Sequence, residues 1–436
     1  MRPTLRCLLV FLVGIPLSLT AVAISSRLWT VWLSFLGAAI LLAGVDFVLG
    51  LPRKRLAITA QLPDQLFIGE SGVATIELVA RWRRPSPIQL VAELDAELEP
   101  QPALEATFGD GRRATVELTL LPRRRGEHAL RTLHARWTGP LGLIERTAAL
   151  PIDRKVRVVP NLGAVRAIAL RMFADRNFMA GLKVERYLGD GTEYESLREY
   201  VPGLDYRAID WKSSARHRKL LCQEFRAERN HQVVLAVDAG QLMNEPIAGM
   251  PKLDHAINAA ILLGWFCLRT GDRVGLLGFD ERIRTWAEPA GGMHTFHKLQ
   301  ALSAEIDYRR VETNFTLTLA ELSTRLRRRS LVVLFTDFLD TVTAELMVEN
   351  VTRLARRHLV LFVAVKDPSL EARALARPRT LDALHQAVVA TDFSRERDVV
   401  LERLRRAGAH CIDASPGDFS MALVNRYLDI KRRELF

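Results

Sequence analysis

Two apolar runs near the N-terminus constrain the fold of this chain more than any other feature. Residues 7–25 and 28–51 are dominated by Leu, Val, Ala, Ile and Phe, and about 20 apolar residues are enough to cross the hydrocarbon core of a bilayer. Only a short turn separates the runs, so the pattern predicts a transmembrane helical hairpin over residues 1–55. The alternative is a cleaved signal peptide, because the first run ends in small residues. The second apolar run, which follows at once, argues against a signal peptide.

The charges that flank the runs predict the orientation of the hairpin. Arg2 and Arg6 precede the first run and residues 53–55 are all basic, whereas the connecting turn has only Arg27. Because basic flanks favour the cytoplasmic side, we expect a multi-pass protein of the cell inner membrane with its soluble domains in the cytoplasm. Asp46 lies inside the second run, where we expect it to reach the headgroups or to pair across the hairpin.

Length and charge restrict the domains and the partners. The chain has 436 residues, of which 49% are hydrophobic, enough for two or three domains with sizeable cores. A net charge of +11 suits nucleic acid, an anionic membrane or an acidic protein. The arginines are dispersed and no nucleic-acid motif is present, so we expect no nucleic-acid partner. The four cysteines are far apart and form no disulfide framework or zinc motif.

The hydrophobic pattern changes twice after the membrane segment. Residues 56–160 contain short alternating runs such as "GVATIELVARW" and "ATVELTLLP", which predict a small antiparallel β-sandwich. Residues 161–230 form a connecting segment that begins as a helix. In residues 231–436, apolar strands alternate with amphipathic helices, which predicts a doubly wound, mostly parallel α/β sheet.

Glycines, aromatic residues and charges of both signs are crowded into residues 189–243. The densest pieces are "GTEYESLREYVPGLDYRAIDWKSSAR", "LLCQEFRAERN" and "VVLAVDAGQLM". This mixture indicates a structured segment with packed rings and paired charges, and Trp211 is expected to be buried. We interpret seven residues of it as a structural or partner-binding signature: Arg198, Tyr200, Asp205, Arg207, Asp210, Trp211 and Arg216.

These three pieces resemble the signature of the bacterial family called domain of unknown function 58, whose members carry a von Willebrand factor A-like domain. The resemblance implies that residues 231–436 adopt that α/β fold. It also implies a partner, since proteins of this kind look like companions of MoxR-type AAA+ ATPases in complex assembly, metal insertion or envelope stress.

The resemblance further implies a degenerate metal site. Von Willebrand factor A domains commonly bind a divalent cation through a D-x-S-x-S loop, a threonine and a second aspartate. These ligands correspond here to Asp238, Thr313 and Asp337, while Gly240 and Leu242 stand at the two serine positions. Because both serine hydroxyls are missing, we expect Mg²⁺ to bind weakly, and no other cofactor is expected.

The sequence has no nucleotide-binding loop, zinc spacing or nucleophile motif. We therefore assign no catalytic residue and no small-molecule substrate, and expect a membrane-anchored interaction scaffold rather than an enzyme. Two alternatives remain open. One is a hydrolase, metal-dependent or using Asp238 and Asp337 as an acid–base pair; the other is a basic protein that binds anionic lipid or nucleic acid.

The orientation can be tested with a reporter fused after Phe436. Because the basic flanks place both termini inside the cell, an enzyme that is active only in the cytoplasm should be active in this fusion. Activity of a reporter that works only outside the cytoplasm would contradict the hairpin.

Overall fold

The computed structural model describes residues 2–24, 29–82, 86–98, 102–108, 112–161, 188–201, 206, 209–226 and 231–433. The chain divides into two compact units, Met1–Asn161 and Leu162–Phe436. The connecting helix that the sequence predicts after residue 161, and the signature residues Asp205 and Arg207, lie outside the described residues.

The helices are numbered in chain order. They are α1 Leu5–Ile24, α2 Trp29–Leu49, α3 Trp211–His217, α4 Lys252–Arg269, α5 His294–Glu305, α6 Phe315–Arg325, α7 Glu345–Ala355, α8 Pro368–Leu375, α9 Leu381–Arg406 and α10 Phe419–Arg432.

The strands of the first unit are β1 Arg2–Pro3, β2 Leu56–Gln61, β3 Gln65–Phe67, β4 Gly72–Ala80, β5 Ile88–Leu94, β6 Leu104–Ala106, β7 Arg113–Leu120, β8 Gly126–Thr138 and β9 Ile144–Val159. Those of the second are β10 Leu188–Glu199, β11 Leu221–Arg226, β12 Gln232–Asp238, β13 Pro246–Ile247, β14 Met250–Pro251, β15 Arg273–Phe279, β16 Ile283–Ala290, β17 Leu331–Phe335, β18 Leu359–Val365 and β19 His410–Ala414.

The second apolar run forms a helix that can cross a membrane. Within the described residues, the segment Thr30–Arg55, which contains α2, is the one helical segment long and apolar enough to do so. Only 17% of its most apolar stretch is buried, whereas the core helix of a soluble domain is mostly buried. The first run forms α1, whose apolar part Leu5–Pro16 is shorter; the two-span hairpin stays a prediction.

Residues 56–161, together with the short strand β1, form two sheets in which buried and exposed side chains alternate. One sheet has the order β1-β9-β8-β5-β6, with β3 also paired to β9, and the other has the order β2-β4-β7. Along β4, Ala74, Ile76 and Leu78 are fully buried and the side chains between them are not, which is the period of two expected for half-buried strands.

Asp46 joins the membrane helix to the larger of these sheets. Its side chain is fully buried and accepts hydrogen bonds from the backbone N–H groups of Leu141 at 2.6 Å, Leu143 at 2.8 Å and Ile144 at 2.9 Å. These groups lie in the turn between β8 and β9 and at the first residue of β9, and a Cβ on Gly139 of that turn would overlap the carboxylate. The expectation that Asp46 reaches headgroups or pairs across the hairpin is therefore wrong, because a nearer set of donors satisfies its charge.

The carboxyl end of α2 is held from the same sheet. The Arg146 guanidinium donates to the carbonyl oxygens of Phe47, Gly50 and Leu51, and the Trp137 indole N–H donates to Leu51 O at 2.9 Å. The last carbonyls of a helix have no partner within it. Arg146 satisfies that of Phe47, binds the two carbonyls that follow the helix, and places its positive charge at the negative end of the helix dipole.

Substitution of Asp46 should release the β8–β9 turn. Asp46→Asn replaces one acceptor oxygen with an NH₂ group that faces backbone donors, and hydrogen bonds to charged groups contribute about 1.5–3 kcal/mol each. We expect hydrogen exchange of residues 141–144 in detergent micelles to accelerate about 100-fold. Asp64→Asn, at an exposed position, is the control and should change nothing; equal exchange in both variants would refute the role given to Asp46.

The second unit contains the predicted mostly parallel sheet. Its strand order is β16-β15-β12-β17-β18-β19. Neighbours from β15 to β19 pair in parallel, and only β16 runs antiparallel, as an edge strand paired with β15. The central strands are apolar on both faces because both faces are covered.

Successive side chains of β12 enter two separate cores. Val233, Leu235 and Val237 pack with α4, α5 and α10, whereas Val234 and Ala236 pack with α6, α7 and α9. All five are fully buried. Helices therefore cover both faces, and the carboxyl ends of the parallel strands are left as the edge at which polar side chains gather.

Candidate functional site

The strand order places the candidate site at the carboxyl ends of β12 and β17. From β12 the chain continues to β15 and β16 on one side, then returns to form β17, β18 and β19 on the other. In open α/β sheets, ligands bind in the crevice where the direction of strand addition reverses. Asp238 is the last residue of β12, and Thr336 and Asp337 directly follow β17.

Asp238 is the centre of a buried hydrogen-bond network. Its Oδ1 accepts from the Thr313 hydroxyl at 2.7 Å and from the Gly240 N–H at 2.8 Å, and its Oδ2 accepts from the Thr336 hydroxyl at 2.5 Å. The residue is 2% exposed. Two of the predicted metal ligands, Asp238 and Thr313, are thus in direct contact, and Thr336 completes the group.

Burial dominates the titration of this carboxyl group. Burial raises the pKa of Asp238 to about 6, although the hydrogen bonds from Thr336, Thr313 and Gly240 oppose the shift; the charge of Asp280 adds to it. The ionised form is therefore held at a cost to stability. Ionisable groups with shifted pKa values of this kind are concentrated at functional sites.

Asp337, the third predicted ligand, is engaged by two basic side chains. Lys252 Nζ lies 2.6 Å from its Oδ2, and Arg397 Nη1 lies 2.7 Å from its Oδ1. Arg397 also binds Asp413 at 2.8 Å. Burial opposes the charge of both basic groups, but the nearby carboxylates prevail and raise the pKa of Lys252 and of Arg397. The negative charge of Asp337 is therefore neutralised within the protein.

The loop after β12 has no room for the missing serine at its first position. A Cβ on Gly240 would overlap the Thr313 hydroxyl, so Gly240→Ser would have to displace the group that donates to Asp238. Leu242 lies in the following 3₁₀ turn, Gln241–Asn244. Among the described residues, no three His, Cys, Asp or Glu side chains lie close enough to hold a metal ion. Weak Mg²⁺ binding stays a prediction.

Sequence reasoning missed four polar residues of this edge. Asp280 follows β15 and accepts from Arg284 Nε at 2.8 Å, and Lys252, Arg397 and Thr336 complete the network described above. Thr336 could have been predicted from the sequence, because it stands between the apolar strand β17 and Asp337, a predicted metal ligand. Lys252 and Arg397 had none, since they lie on α4 and α9, far from Asp337 in sequence.

The described signature residues form a hairpin and a short helix. Arg198 lies in β10, Tyr200 follows that strand, and β10 pairs antiparallel with β11. Asp210 caps α3, accepting from the Ser213 N–H at 3.0 Å. The side chain of Arg216, in the last turn of α3, is exposed.

Trp211 departs from expectation. It is the first residue of α3 and is 68% exposed, so the prediction that its ring is packed in a core is wrong. In this seven-residue helix only Ser214 is buried, because a helix of about two turns directs few side chains inward.

Trp211→Ala should therefore change the free energy of unfolding by less than about 1 kcal/mol.

Comparisons with known proteins give one family match, which lies within the second unit. Residues 196–409 match the family model described as "Protein of unknown function DUF58". "Uncharacterized protein YeaD" of Bacillus subtilis is 25% identical over 191 residues, 43% of this chain and 44% of that protein. "Uncharacterized protein Rv1480" of Mycobacterium tuberculosis is 26% identical over 232 residues, 52% of this chain and 71% of that protein. The chain thus spans less than half of the Bacillus relative.

Among solved structures, the conserved hypothetical protein BatB from Bacteroides thetaiotaomicron aligns with 47% of this chain and 100% of its own, at 13% identity and a TM-score of 0.29. An uncharacterized membrane-spanning protein from Vibrio fischeri aligns with 46% of this chain and 97% of its own, at 14% identity and a TM-score of 0.17.

The pKa of Asp238 predicts a specific pH dependence. Because the folded state holds the Asp238 proton up to about pH 6, whereas the unfolded state releases it near pH 4, the ionised carboxylate lowers stability as pH rises through this window. A shift of about two pKa units corresponds to roughly 3 kcal/mol. Relative to the unmodified chain, Asp238→Asn should therefore gain stability between pH 4 and pH 7.

Hydrogen exchange of β12, corrected for the intrinsic pH dependence of exchange, measures this gain. Asp398→Asn, at an exposed position, should follow the unmodified chain at every pH. A constant difference between Asp238→Asn and the unmodified chain across the window would show that the carboxyl group is already ionised at low pH.

Proposed function

Since residues 196–409 belong to the family described as "Protein of unknown function DUF58", we propose that this chain is a membrane-anchored protein-interaction scaffold. Its α/β domain binds a MoxR-type AAA+ ATPase, which supplies the energy for assembly of a protein complex, metal insertion or a response to envelope stress. The chain itself contains no nucleotide-binding loop. The segment Thr30–Arg55 provides the anchor, in the inner membrane and with the soluble domains in the cytoplasm.

The proposal rests on the observation that Asp238 and Asp337, the two carboxylates at this edge of the sheet, already have partners within the protein. A general acid or base must lie within hydrogen-bond reach of its substrate, and it must have a proton to give or a free lone pair to accept one. Asp238 accepts three hydrogen bonds, and Asp337 forms ion pairs with two basic side chains. Both groups are also nearly inaccessible, at 2% and 5% exposed. This arrangement favours a fixed platform, whose charges are paired within the protein, over the acid–base hydrolase.

The exposed aromatic side chains of the signature supply a contact surface. Trp211 and Tyr206 are each 68% exposed, and Val201 is 50% exposed. Burial of a tryptophan against a partner is among the largest single contributions in protein interfaces, and arginine is enriched beside it. Arg216, five residues after Trp211, is exposed on the same short helix.

The finer fold assignments belong to the same proposal. A mostly parallel sheet with helices on both faces, and an aspartate at the end of its first strand, supports a von Willebrand factor A-like fold. The two sheets of residues 56–161, each with alternating burial, support a small β-sandwich. The β-sandwich then stands between the membrane anchor and the partner-binding domain in the sequence.

Binding to the MoxR-type ATPase from the same genome tests the function. The full chain in detergent micelles is immobilised, and ATPase binding is measured with ATP present. Trp211→Ala should weaken binding about tenfold to a hundredfold. Leu346→Ala removes a side chain that is 62% exposed on α7 and serves as the matched control, which should bind as the unmodified chain does.

Two results would contradict the proposal. If the unmodified chain does not bind the ATPase, the partner assignment is wrong. If Trp211→Ala and Leu346→Ala bind equally well, the contact surface is wrong. Hydrolysis of a generic ester or phosphoester by the unmodified chain, lost in Asp238→Asn, would instead support the hydrolase.

A further inference from the structure

A polar recess lies at the end of the sheet opposite the candidate site, where β19 begins. Its cavity volume is about 250 Å³, and it is lined by Arg405, Gly408, Ala409, His410, Cys411 and Arg426. It is separate from the carboxyl edge, because His410 is the first residue of β19 whereas Asp238 is the last of β12.

The donors of this recess are positively charged and incompletely satisfied. Arg426 Nη2 contacts His410 Nδ1 at 3.0 Å, while Arg426 Nε is buried without a hydrogen-bond partner among the described residues. A buried polar atom left without a partner costs about 1–3 kcal/mol. A guanidinium attracts oxyanions, and because the unpaired Nε is itself closed to solvent, Arg426 acts on an anion in the recess through the positive charge of its guanidinium.

The imidazole provides a further donor. Because an arginine cannot accept a hydrogen bond, His410 Nδ1 must accept from Arg426, and the ring proton then resides on Nε2. Burial lowers the pKa of His410, and the charges of Arg426 and Arg433 lower it further. The ring is therefore neutral and offers one N–H donor at physiological pH.

Three carbonyl oxygens at the end of α9 are satisfied by hydrogen bonds from the chain that follows the helix. The N–H groups of Ala407 and Gly408 donate to Arg403 O and Arg405 O, and the Ala409 N–H donates to Leu404 O. Gly408 has φ +90 and open space where a Cβ would lie, as is usual where glycine ends a helix. The helix end is thus capped by its own chain, and the full positive charges of Arg405 and Arg426 outweigh the partial negative charge that remains at a helix C-terminus.

We propose that this recess binds a phosphate group, as inorganic phosphate or a small soluble phosphate monoester. Two guanidinium groups and a neutral imidazole N–H match the charge and the acceptor number of a phosphate dianion. The volume lies below the range of about 300–1,000 Å³ that is typical of larger organic ligands, which favours a small anion. Cys411 lines the same recess and provides a built-in probe of its occupancy.

Titration calorimetry of the full chain in uncharged detergent, at constant ionic strength, tests the proposal with inorganic phosphate and with glycerol 3-phosphate. Arg405 and Arg406 form a matched pair, since both lie in the last turn of α9 and both contact Glu402, at 3.7 and 3.2 Å. Only Arg405 lines the recess. We expect Arg405→Gln to weaken binding about tenfold or more and Arg406→Gln to leave it within about twofold.

Alkylation of Cys411 locates the bound anion. The other three cysteines are buried, and burial raises the pKa of the Cys411 thiol to about 11, so iodoacetamide is used at pH 9 with detection by mass spectrometry. Phosphate should slow modification in the unmodified chain and in Arg406→Gln, but much less in Arg405→Gln. The proposal would be overturned if neither inorganic phosphate nor glycerol 3-phosphate bound saturably. It would also be overturned if Arg405→Gln and Arg406→Gln lost binding equally.

Discussion

A single buried carboxylate organises the α/β domain. Asp238 ends the central strand β12 in a place that excludes water, and a buried acceptor of this kind is tolerated only when donors surround it. The donors come from three places: the hydroxyl of Thr336 after β17, the hydroxyl of Thr313 before α6, and the backbone of its own loop. The need to satisfy one side chain therefore fixes three segments relative to one another at the edge where the strand order reverses.

Charge balance fixes the arrangement of the neighbouring strand ends. Asp337 is held between Lys252 and Arg397, and Arg397 also binds Asp413. Breaking one partner of such a buried network is costly, because it leaves an uncompensated charge. The edge is consequently rigid and internally neutralised. The exposed ring of Trp211 lies on a separate, short helix.

The same physical rule governs the membrane-proximal unit. Asp46 lies within an apolar helix and is satisfied by three backbone N–H groups of the β8–β9 turn. Neither the headgroup contact nor the pairing across the hairpin that the sequence pattern suggested is formed. A sequence pattern shows that a carboxylate in such a helix needs partners, but the turn that supplies them lies about 95 residues further along the chain. Gly139 leaves room for the contact, which is visible only in three dimensions.

The sequence by itself determined the periodic features: the apolar runs, the alternation of strands and helices after residue 231, and the placing of Asp238 at a strand end. These follow from local hydrophobic spacing, which needs no knowledge of distant residues. Tertiary structure decided which charges meet. Lys252 and Arg397 lie on helices that carry no local signal for Asp337, and Trp211 is exposed although its neighbours in sequence are aromatic and charged. Pairing between distant elements depends on how helices pack on the sheet, and that packing is a property of the whole fold.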